Sequence, residues 1–214
     1  MRTAIHIALI LGVGIGVGLL IRSFKAISPS PTRVVYTNDE PNADPATITQ
    51  SEPALAPDGW MSEFELTERS GRTVTSEELK GAPYVVSFFF STCPSICVQQ
   101  NQKIQELQTI FADQGVRFVS ISVDPKTDDP ATLREYAARF KADENQWLFM
   151  TGDLTYIRRV GAEVFRLAVD EKLHTEKFVL VGGDGQIIGY YAWPENRQYE
   201  KLKADIRKLV ETKS

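Results

Sequence analysis

The chain has little of what would place it in several common classes of protein. Its 214 residues include only two cysteines and two histidines, and 28 acidic against 24 basic residues give a formal net charge of -4 at pH 7. Because nucleic-acid binding relies on a basic surface that neutralises phosphates, this charge argues against DNA or RNA as a partner. The sequence also has no internal repeat and no phosphate-binding glycine loop.

The two cysteines, Cys93 and Cys97, belong to one motif, Ser91-Thr92-Cys93-Pro94-Ser95-Ile96-Cys97. A disulfide stabilises a protein mainly by closing a long loop of the unfolded chain, and a bridge between these two residues would close almost none. The pair therefore indicates chemistry rather than a structural link. The motif directly follows an apolar run, Tyr84 to Phe90, which is typical of a strand buried on both faces.

The amino-terminal stretch predicts a membrane anchor within residues 1–25. Ala4 to Ile21 is almost entirely apolar, and at about 1.5 Å per residue it would span roughly 27 Å, close to the hydrocarbon thickness of a bilayer. A cleaved signal peptide is the alternative, although a small-residue cleavage site is missing. Arg22 and Lys25 beyond the apolar run slightly favour a cytoplasmic body by the positive-inside count.

Residues 26–57 are predicted to be a disordered linker, because they hold six of the eleven prolines, several acidic residues and few large apolar ones. At about 3 Å per residue such a linker could extend on the order of 100 Å, enough to reach a partner in the same membrane. Residues 58–214 then have the length of one globular domain.

Within this domain, apolar periodicity and turn residues predict alternating strands and helices. The predicted elements, in chain order, are a hairpin (Phe64–Thr67 and Arg72–Thr75), a short helix from Ser76, a strand (Tyr84–Phe90), a helix (Gln99–Phe111), a strand (Arg117–Val123), a helix capped by Asp129 and running to Phe140, a strand (Trp147–Met150), a helix capped by Asp153 and running through Phe165, a second hairpin (Phe178–Val181 and Gln186–Tyr191) and a final helix around Ile206. This order is that of an α/β, thioredoxin-like fold with helices on both faces of a central mixed sheet. Ligands in such sheets collect at the carboxyl ends of the parallel strands, where Cys93 and Asp124 fall.

The spacing of the cysteines fits a soft metal more easily than a disulfide. If a helix begins at Cys93, the two Cβ atoms lie about 5 to 6 Å apart, whereas a disulfide needs about 3.5 to 4.5 Å. Two thiolates at roughly 2.3 Å from one ion tolerate the wider separation, and the positive end of the helix would lower both thiol pKa values. His174 is the candidate third ligand because His6, the only other histidine, lies in the apolar segment. Thiolates with one imidazole suit Cu(I), Cu(II) and zinc alike.

An ordered set of motifs resembles the Sco/SenC family. It comprises Phe88 to Cys97, Gly115 to Pro125, Asp128, Pro130, Trp147, Thr151-Gly152 and His174, and the likeness covers most of Trp60 to Lys213. The resemblance implies a membrane-anchored, thioredoxin-like protein that assists assembly of the dinuclear copper centre of cytochrome c oxidase, on the exported side of the membrane. It implies copper ligands at Cys93, Cys97 and His174. It also suggests a place near the site, or in contact with a partner, for Asp124.

Two functions remain open from the sequence. The first is a copper-binding assembly factor that passes its ion to an oxidase subunit. The second is a thiol-disulfide oxidoreductase that keeps the copper-binding cysteines of the oxidase reduced, with Cys93 attacking and Cys97 resolving. Copper transfer needs His174 as a ligand and disulfide exchange does not. A peroxidase is disfavoured because partners that would activate a peroxide are not evident, and a scaffold that merely retains the motif is the remaining alternative.

Overall fold

The computed structural model describes residues 61–173 and 175–212. The predicted anchor at 1–25, the predicted linker at 26–57 and His174 therefore lie outside the described residues. No helix within the described ranges is both long and apolar enough to cross a membrane.

The described residues form one mixed sheet packed against helices. The strands are β1 (Glu65–Glu68), β2 (Thr73–Thr75), β3 (Tyr84–Phe89), β4 (Arg117–Ser122), β5 (Trp147–Thr151), β6 (Lys177–Val181) and β7 (Ile187–Ala192). The helices are α1 (Ser76–Leu79), α2 (Ile96–Ile110), α3 (Pro130–Ala138), α4 (Leu154–Arg159) with a π-helical continuation (Val160–Val164), and α5 (Asn196–Glu211).

The strands lie in the order β2-β1-β5-β4-β3-β6-β7. The central strands β3, β4 and β5 are parallel, and the outer strands pair antiparallel to their neighbours. Phe89 at the end of β3 pairs with Ser122 at the end of β4, so the loops that follow these two strands leave the sheet side by side. The predicted α/β fold with a central mixed sheet is confirmed, including both hairpins and the order of the elements.

The burial of β3 explains why its sequence is an almost continuous apolar run. All six of its residues are buried, and the hydroxyl of its serine, Ser87, shares a hydrogen bond of 3.0 Å with the Ser120 hydroxyl on β4. The Ser120 oxygen also accepts a hydrogen bond of 2.9 Å from the indole Nε1 of Trp147. A chain of three hydrogen-bonded side chains therefore crosses the central strands without leaving a serine unpaired.

The predicted caps of two helices are confirmed. The carboxylate of Asp129 accepts a hydrogen bond of 2.7 Å from the backbone N–H of Thr132, and Pro130 occupies the first turn, where no donor is lost. Asp153 accepts a corresponding bond of 2.9 Å from Tyr156. Each cap satisfies a backbone group that the first turn of a helix leaves without a partner.

The helix predicted from Asp153 through Phe165 changes its winding partway. It is α-helical to Arg159 and π-helical from Val160 to Val164. A Cβ on Gly161 would lie only 2.5 Å from Cγ2 of Val169 and 3.0 Å from the Leu167 carbonyl oxygen. The glycine thus permits a close contact between the widened turn and the segment that leads towards residue 174.

Candidate dithiol and metal site

The two cysteines lie where β3 gives way to α2, at the carboxyl edge of the parallel strands. The helix predicted from Gln99 begins earlier, at Ile96, but it does not extend back to Cys93, which was considered as its possible start. Cys93 belongs to the preceding loop, where its N–H donates to the Phe90 carbonyl at 3.2 Å. Pro94, which follows, has no N–H to donate and restricts the backbone of Cys93 to extended conformations. Only Cys97 is therefore a helical residue.

The Cys93 sulfur takes the place of a helix cap. Ser95 stands at the N-cap position of α2 without a side-chain capping bond, while the N–H of Cys97 donates to Sγ of Cys93 at 3.4 Å. Burial by itself raises the pKa of Cys93. Hydrogen bonds from the backbone of Cys97, Ser95 and Ile96 and from the Cys97 thiol together outweigh burial and hold the pKa below its ordinary value. Cys93 is the thiol that the helix end activates.

Cys97 has the opposite character. It is 2% exposed, and burial raises the pKa of its thiol to about 12, with the Cys93 sulfur and the Asp128 carboxylate adding to the effect and the Phe90 backbone opposing it. The prediction that the helix end lowers both thiol pKa values is thus wrong for Cys97. Its position in the first turn does not compensate for the loss of water around the sulfur.

Asp124 lies directly after β4 and is buried, with 1% of its surface exposed. Its Oδ2 contacts Nζ of Lys172 at 3.4 Å, in an ion pair whose lysine is half exposed, and among the described residues this oxygen has no hydrogen-bond partner. The turn N–H groups of Thr127 and Asp128 bond to the backbone carbonyl of Asp124 rather than to its carboxylate. The Asp124 side chain therefore faces the segment before residue 174 instead of stabilising its own turn.

The residues on either side of His174 are attached to the elements that carry the other site residues. On one side, the Lys172 N–H reaches the Val123 carbonyl at 3.4 Å. On the other, Nε2 of the buried Gln100 donates to the Thr175 carbonyl at 3.3 Å. Gln100 lies three residues after Cys97 on α2, so the chain flanking residue 174 is fixed to the end of β4 and to the first turns of α2.

Asp128 is a site residue that the sequence alone did not single out. It is fully buried, and its carboxylate accepts hydrogen bonds from the N–H and hydroxyl of Ser91 and from the hydroxyl of Ser122. Ser91 precedes Cys93 by two residues, so this carboxylate joins the cysteine loop to the end of β4. Asp128 was visible only as a member of a family motif, because nothing in the spacing of the sequence pairs it with Ser91.

The described residues contain no cluster of three or more His, Cys, Asp or Glu side chains that could hold a metal ion. They do bring together two sulfurs, one of them with a lowered pKa, which is a donor pair that soft metals prefer. A reactive thiol before a helix, a second thiol one turn on, and a mixed sheet whose parallel strands end there define a thioredoxin-like dithiol protein.

Comparison with known proteins identifies the family within this class of thioredoxin-like dithiol proteins. The SCO1/SenC family model matches residues 53–211, and the chain belongs to that family. A SCO1 protein homolog of Bacillus subtilis is 30% identical over 67% of this chain and 79% of its own length. The solved structure of BsSco, a Sco-family cytochrome c oxidase assembly protein in which a disulfide switch was identified, superposes with a TM-score of 0.64 at 29% identity, covering 70% of this chain and 92% of that one. ScoI of Bradyrhizobium japonicum, solved with copper bound, gives 0.58 at 26% identity over 69% and 97%.

Proposed function

We propose that this chain is a copper carrier for cytochrome c oxidase, binding one copper ion through Cys93, Cys97 and His174 and passing it to a copper-binding subunit of the oxidase. The observation that carries the proposal is the pair of neighbouring sulfurs, one of which accepts hydrogen bonds from the first turn of α2. Membership of the SCO1/SenC family and the copper-bound ScoI relative support it. Copper is here a cargo rather than a resident cofactor.

The donor set suits copper in both oxidation states. Thiolates favour Cu(I), and an imidazole ligand extends the range to Cu(II). His174 lies outside the described residues, so its place in the set is part of the proposal. The fixed positions of Lys172 and Thr175 support it, because they tie the chain on both sides of His174 to β4 and α2.

Cys93 and Cys97 would have different roles in the binding and release of copper. Cys93 loses its proton at a lower pH than an ordinary thiol and so offers a thiolate to an incoming ion. Cys97 keeps its proton until an ion displaces it, because burial raises the pKa of this thiol. An acceptor can then replace the ligands one at a time, and reprotonation of Cys97 favours release.

The same proposal assigns a location and partners. Residues 1–25 would anchor the chain, residues 26–57 would tether it, and residues 58–214 would act on the exported side of the membrane, within reach of the oxidase. The copper donor and the thiol reductant are further partners of unspecified identity. Asp124 would tune the site or contact a partner through its ion pair with the exposed Lys172.

Copper titration tests the proposal. The reduced full-length chain is expected to bind one equivalent of Cu(I) or Cu(II), and Cys93→Ser and Cys97→Ser to lose that stoichiometry. His174→Ala should weaken Cu(II) binding by tenfold or more. Failure of the wild type to retain copper, or a His174→Ala variant that binds both oxidation states like the wild type, would refute the three-ligand site.

Thiol-disulfide exchange is a second candidate function, favoured by the difference between the two thiols. An attacking cysteine with a lowered pKa beside a buried, protonated one is the arrangement of a nucleophilic and a resolving thiol. In that function the chain would reduce the copper-binding cysteines of the oxidase. His174→Ala separates the two candidates, because it should leave the rate of exchange with a small disulfide unchanged.

A further inference from the structure

Four arginines line one cleft at the end of the sheet opposite to the cysteines. The cleft has a volume of about 330 Å³ and lies where β1 ends and where β4 and β5 begin, whereas the cysteines follow the carboxyl end of β3. The charged residues of its lining are Glu68, Arg69, Arg72, Arg117, Arg134 and Glu144. Arginines outnumber glutamates, so the cleft has an excess of positive charge in a chain that is acidic overall.

Arg69 is the buried member of this group. Only 6% of the residue is exposed, and its guanidinium lies 5.6 Å from the centre of the Phe149 ring. Its Nη2 donates to the Ala142 carbonyl at 3.3 Å, and its Nε lies 3.5 Å from Oε1 of Glu68 without forming a hydrogen bond. Because a guanidinium has five N–H groups, most of those of Arg69 have no acceptor among the described residues. A buried donor without an acceptor is costly, and an anion in the cleft would supply acceptors.

Arg72 and Arg134 are the exposed arginines of the cleft. Nη1 of Arg134 donates to the Arg69 carbonyl at 2.7 Å, which ties α3 to the turn after β1. Nη1 of Arg72 pairs with Oε2 of Glu78 at 2.8 Å, in an ion pair whose two side chains are both about half exposed. Each of these arginines uses one N–H in its bond and retains others for a ligand.

Arg117 is fixed at the start of β4. Its guanidinium donates to the carbonyls of Glu78 and Leu79, both at 2.7 Å, and to that of Lys80 at 3.3 Å. These carbonyls lie at the end of α1, where a helix leaves its last acceptors without partners. The charge of Arg117 is therefore already in place, and a ligand does not have to order this side chain on binding.

We propose that this cleft binds a phosphate group, either as the free ion or as a phosphomonoester. The planar fork of arginine matches the oxygens of phosphate, and several arginines around one cleft favour a ligand with more than one negative charge. A phosphomonoester has a charge of about -1.5 to -2 at pH 7. The volume of the cleft leaves room for a substituent on the phosphate. Because the cleft and the cysteines lie at opposite ends of the sheet, the proposal goes beyond the copper function and does not depend on it.

Calorimetric titration of the metal-free, full-length chain with inorganic phosphate at constant chloride concentration tests the proposal. One saturable site with a dissociation constant of about 1 mM or tighter is expected. Glycerol 3-phosphate separates the two sources: binding at least as tight as that of inorganic phosphate assigns the cleft to phosphomonoesters, and weaker binding assigns it to the free ion. Succinate provides two negative charges without a phosphate group. The proposal would be overturned by equally tight binding of succinate, or by the absence of saturation with both phosphate ligands.

Arg134→Gln locates the binding in the cleft. It should weaken phosphate binding about tenfold, because a charged donor to the phosphate is lost. Arg139→Gln is the matched control, since Arg139 directly follows the same helix but contacts the Tyr136 ring instead of the cleft. Copper binding by Arg134→Gln should equal that of the wild type, so the two functions can fail separately.

Arg69→Met provides a second variant, because methionine retains the apolar part of the buried side chain and removes its charge. It should lower the phosphate affinity more than Arg134→Gln does, and Arg134→Gln serves alone if Arg69→Met fails to fold. Glu144→Gln should raise the affinity, since it removes a negative charge from an exposed position in the cleft. Wild-type affinity in every folded arginine variant of the cleft, or an equal loss in Arg139→Gln, would overturn the proposal.

Discussion

At the scale of single residues, Cys93 and Cys97 owe their opposite acidities to their surroundings. Both are buried, which by itself raises the pKa of each thiol. Cys93 has three backbone N–H groups around its sulfur, whereas Cys97 has the Cys93 sulfur and the Asp128 carboxylate nearby. Hydrogen-bond donors stabilise a thiolate and neighbouring negative charge destabilises one, so the two thiols diverge within a single helical turn.

The pH dependence of alkylation should reveal this difference. In Cys97→Ser, the rate at which iodoacetamide modifies Cys93 should reach half its maximum below the pKa of an ordinary cysteine, about 8.5. In Cys93→Ser, Cys97 should remain nearly unreactive up to pH 10, because its thiolate forms only near the pKa of about 12. Modification of the unfolded variants in denaturant provides the reference rates. Equal midpoints in the two folded variants would contradict the assignment.

The cysteines could be chosen from the sequence because their number and spacing are visible there. The sign of the Cys97 pKa shift could not, since it depends on how much protein covers the sulfur. The first residue of α2 could not be fixed either, because proline is accepted in the first turn of a helix, so the sequence does not distinguish a helical Cys93 from one in a loop. Ser91, which bonds to Asp128, and Thr175, which bonds to Gln100, lie 37 and 75 residues from those partners, beyond any local pattern.

At the scale of secondary-structure elements, Gln100 connects α2 to the segment before β6. Gln100→Leu should lower the Cu(II) affinity about tenfold if His174 is a ligand, because the Thr175 carbonyl loses the donor that holds it. Gln105→Leu is the control, since Gln105 bonds to the Phe140 carbonyl at 2.7 Å from the same helix and leaves Thr175 untouched. Calorimetric titration of both variants measures the effect. Equal affinities would show that this bond does not position the site.

The π-helical turn gives a second prediction for an element. Gly161→Ala should destabilise the folded chain by about 1 to 3 kcal/mol, because the added Cβ would meet Val169 at 2.5 Å. Urea unfolding measures the change in the free energy of unfolding. The double variant Gly161→Ala/Val169→Ala should cost less than the sum of the single changes, because removal of the valine methyls relieves the contact. Strict additivity would place the cause elsewhere.

At the scale of the whole molecule, the order of elements could be read from the sequence because each strand and helix has its own period of apolar residues. The neighbours of each strand could not be read in the same way, because Glu68 of β1 lies opposite Met150 of β5, 82 positions further along the chain. Such pairing depends on long-range packing rather than on local pattern. The same packing buries the side chains of four tyrosines. The ionisation of their hydroxyl groups determines how the stability of the fold changes at high pH.

Alkaline conditions should unfold the chain through these tyrosines. Burial raises the pKa of Tyr84 to about 12, and it also raises the pKa values of Tyr136, Tyr191 and Tyr199 above their ordinary range. Since the unfolded chain releases these protons near pH 10 and the folded chain retains them, their contribution to stability is complete below pH 10 and is lost as the pH rises towards the folded pKa values. Each tyrosine then lowers the free energy of unfolding by at most about 1.4 kcal/mol per pH unit, a slope reached only where the group is ionised in the unfolded chain and protonated in the folded one. Melting temperatures between pH 8 and 11.5 should therefore fall steeply above pH 10, and tyrosinate absorbance should rise together with the loss of helical circular dichroism. Ionisation of all the tyrosines in a chain that keeps its helical signal would contradict this expectation.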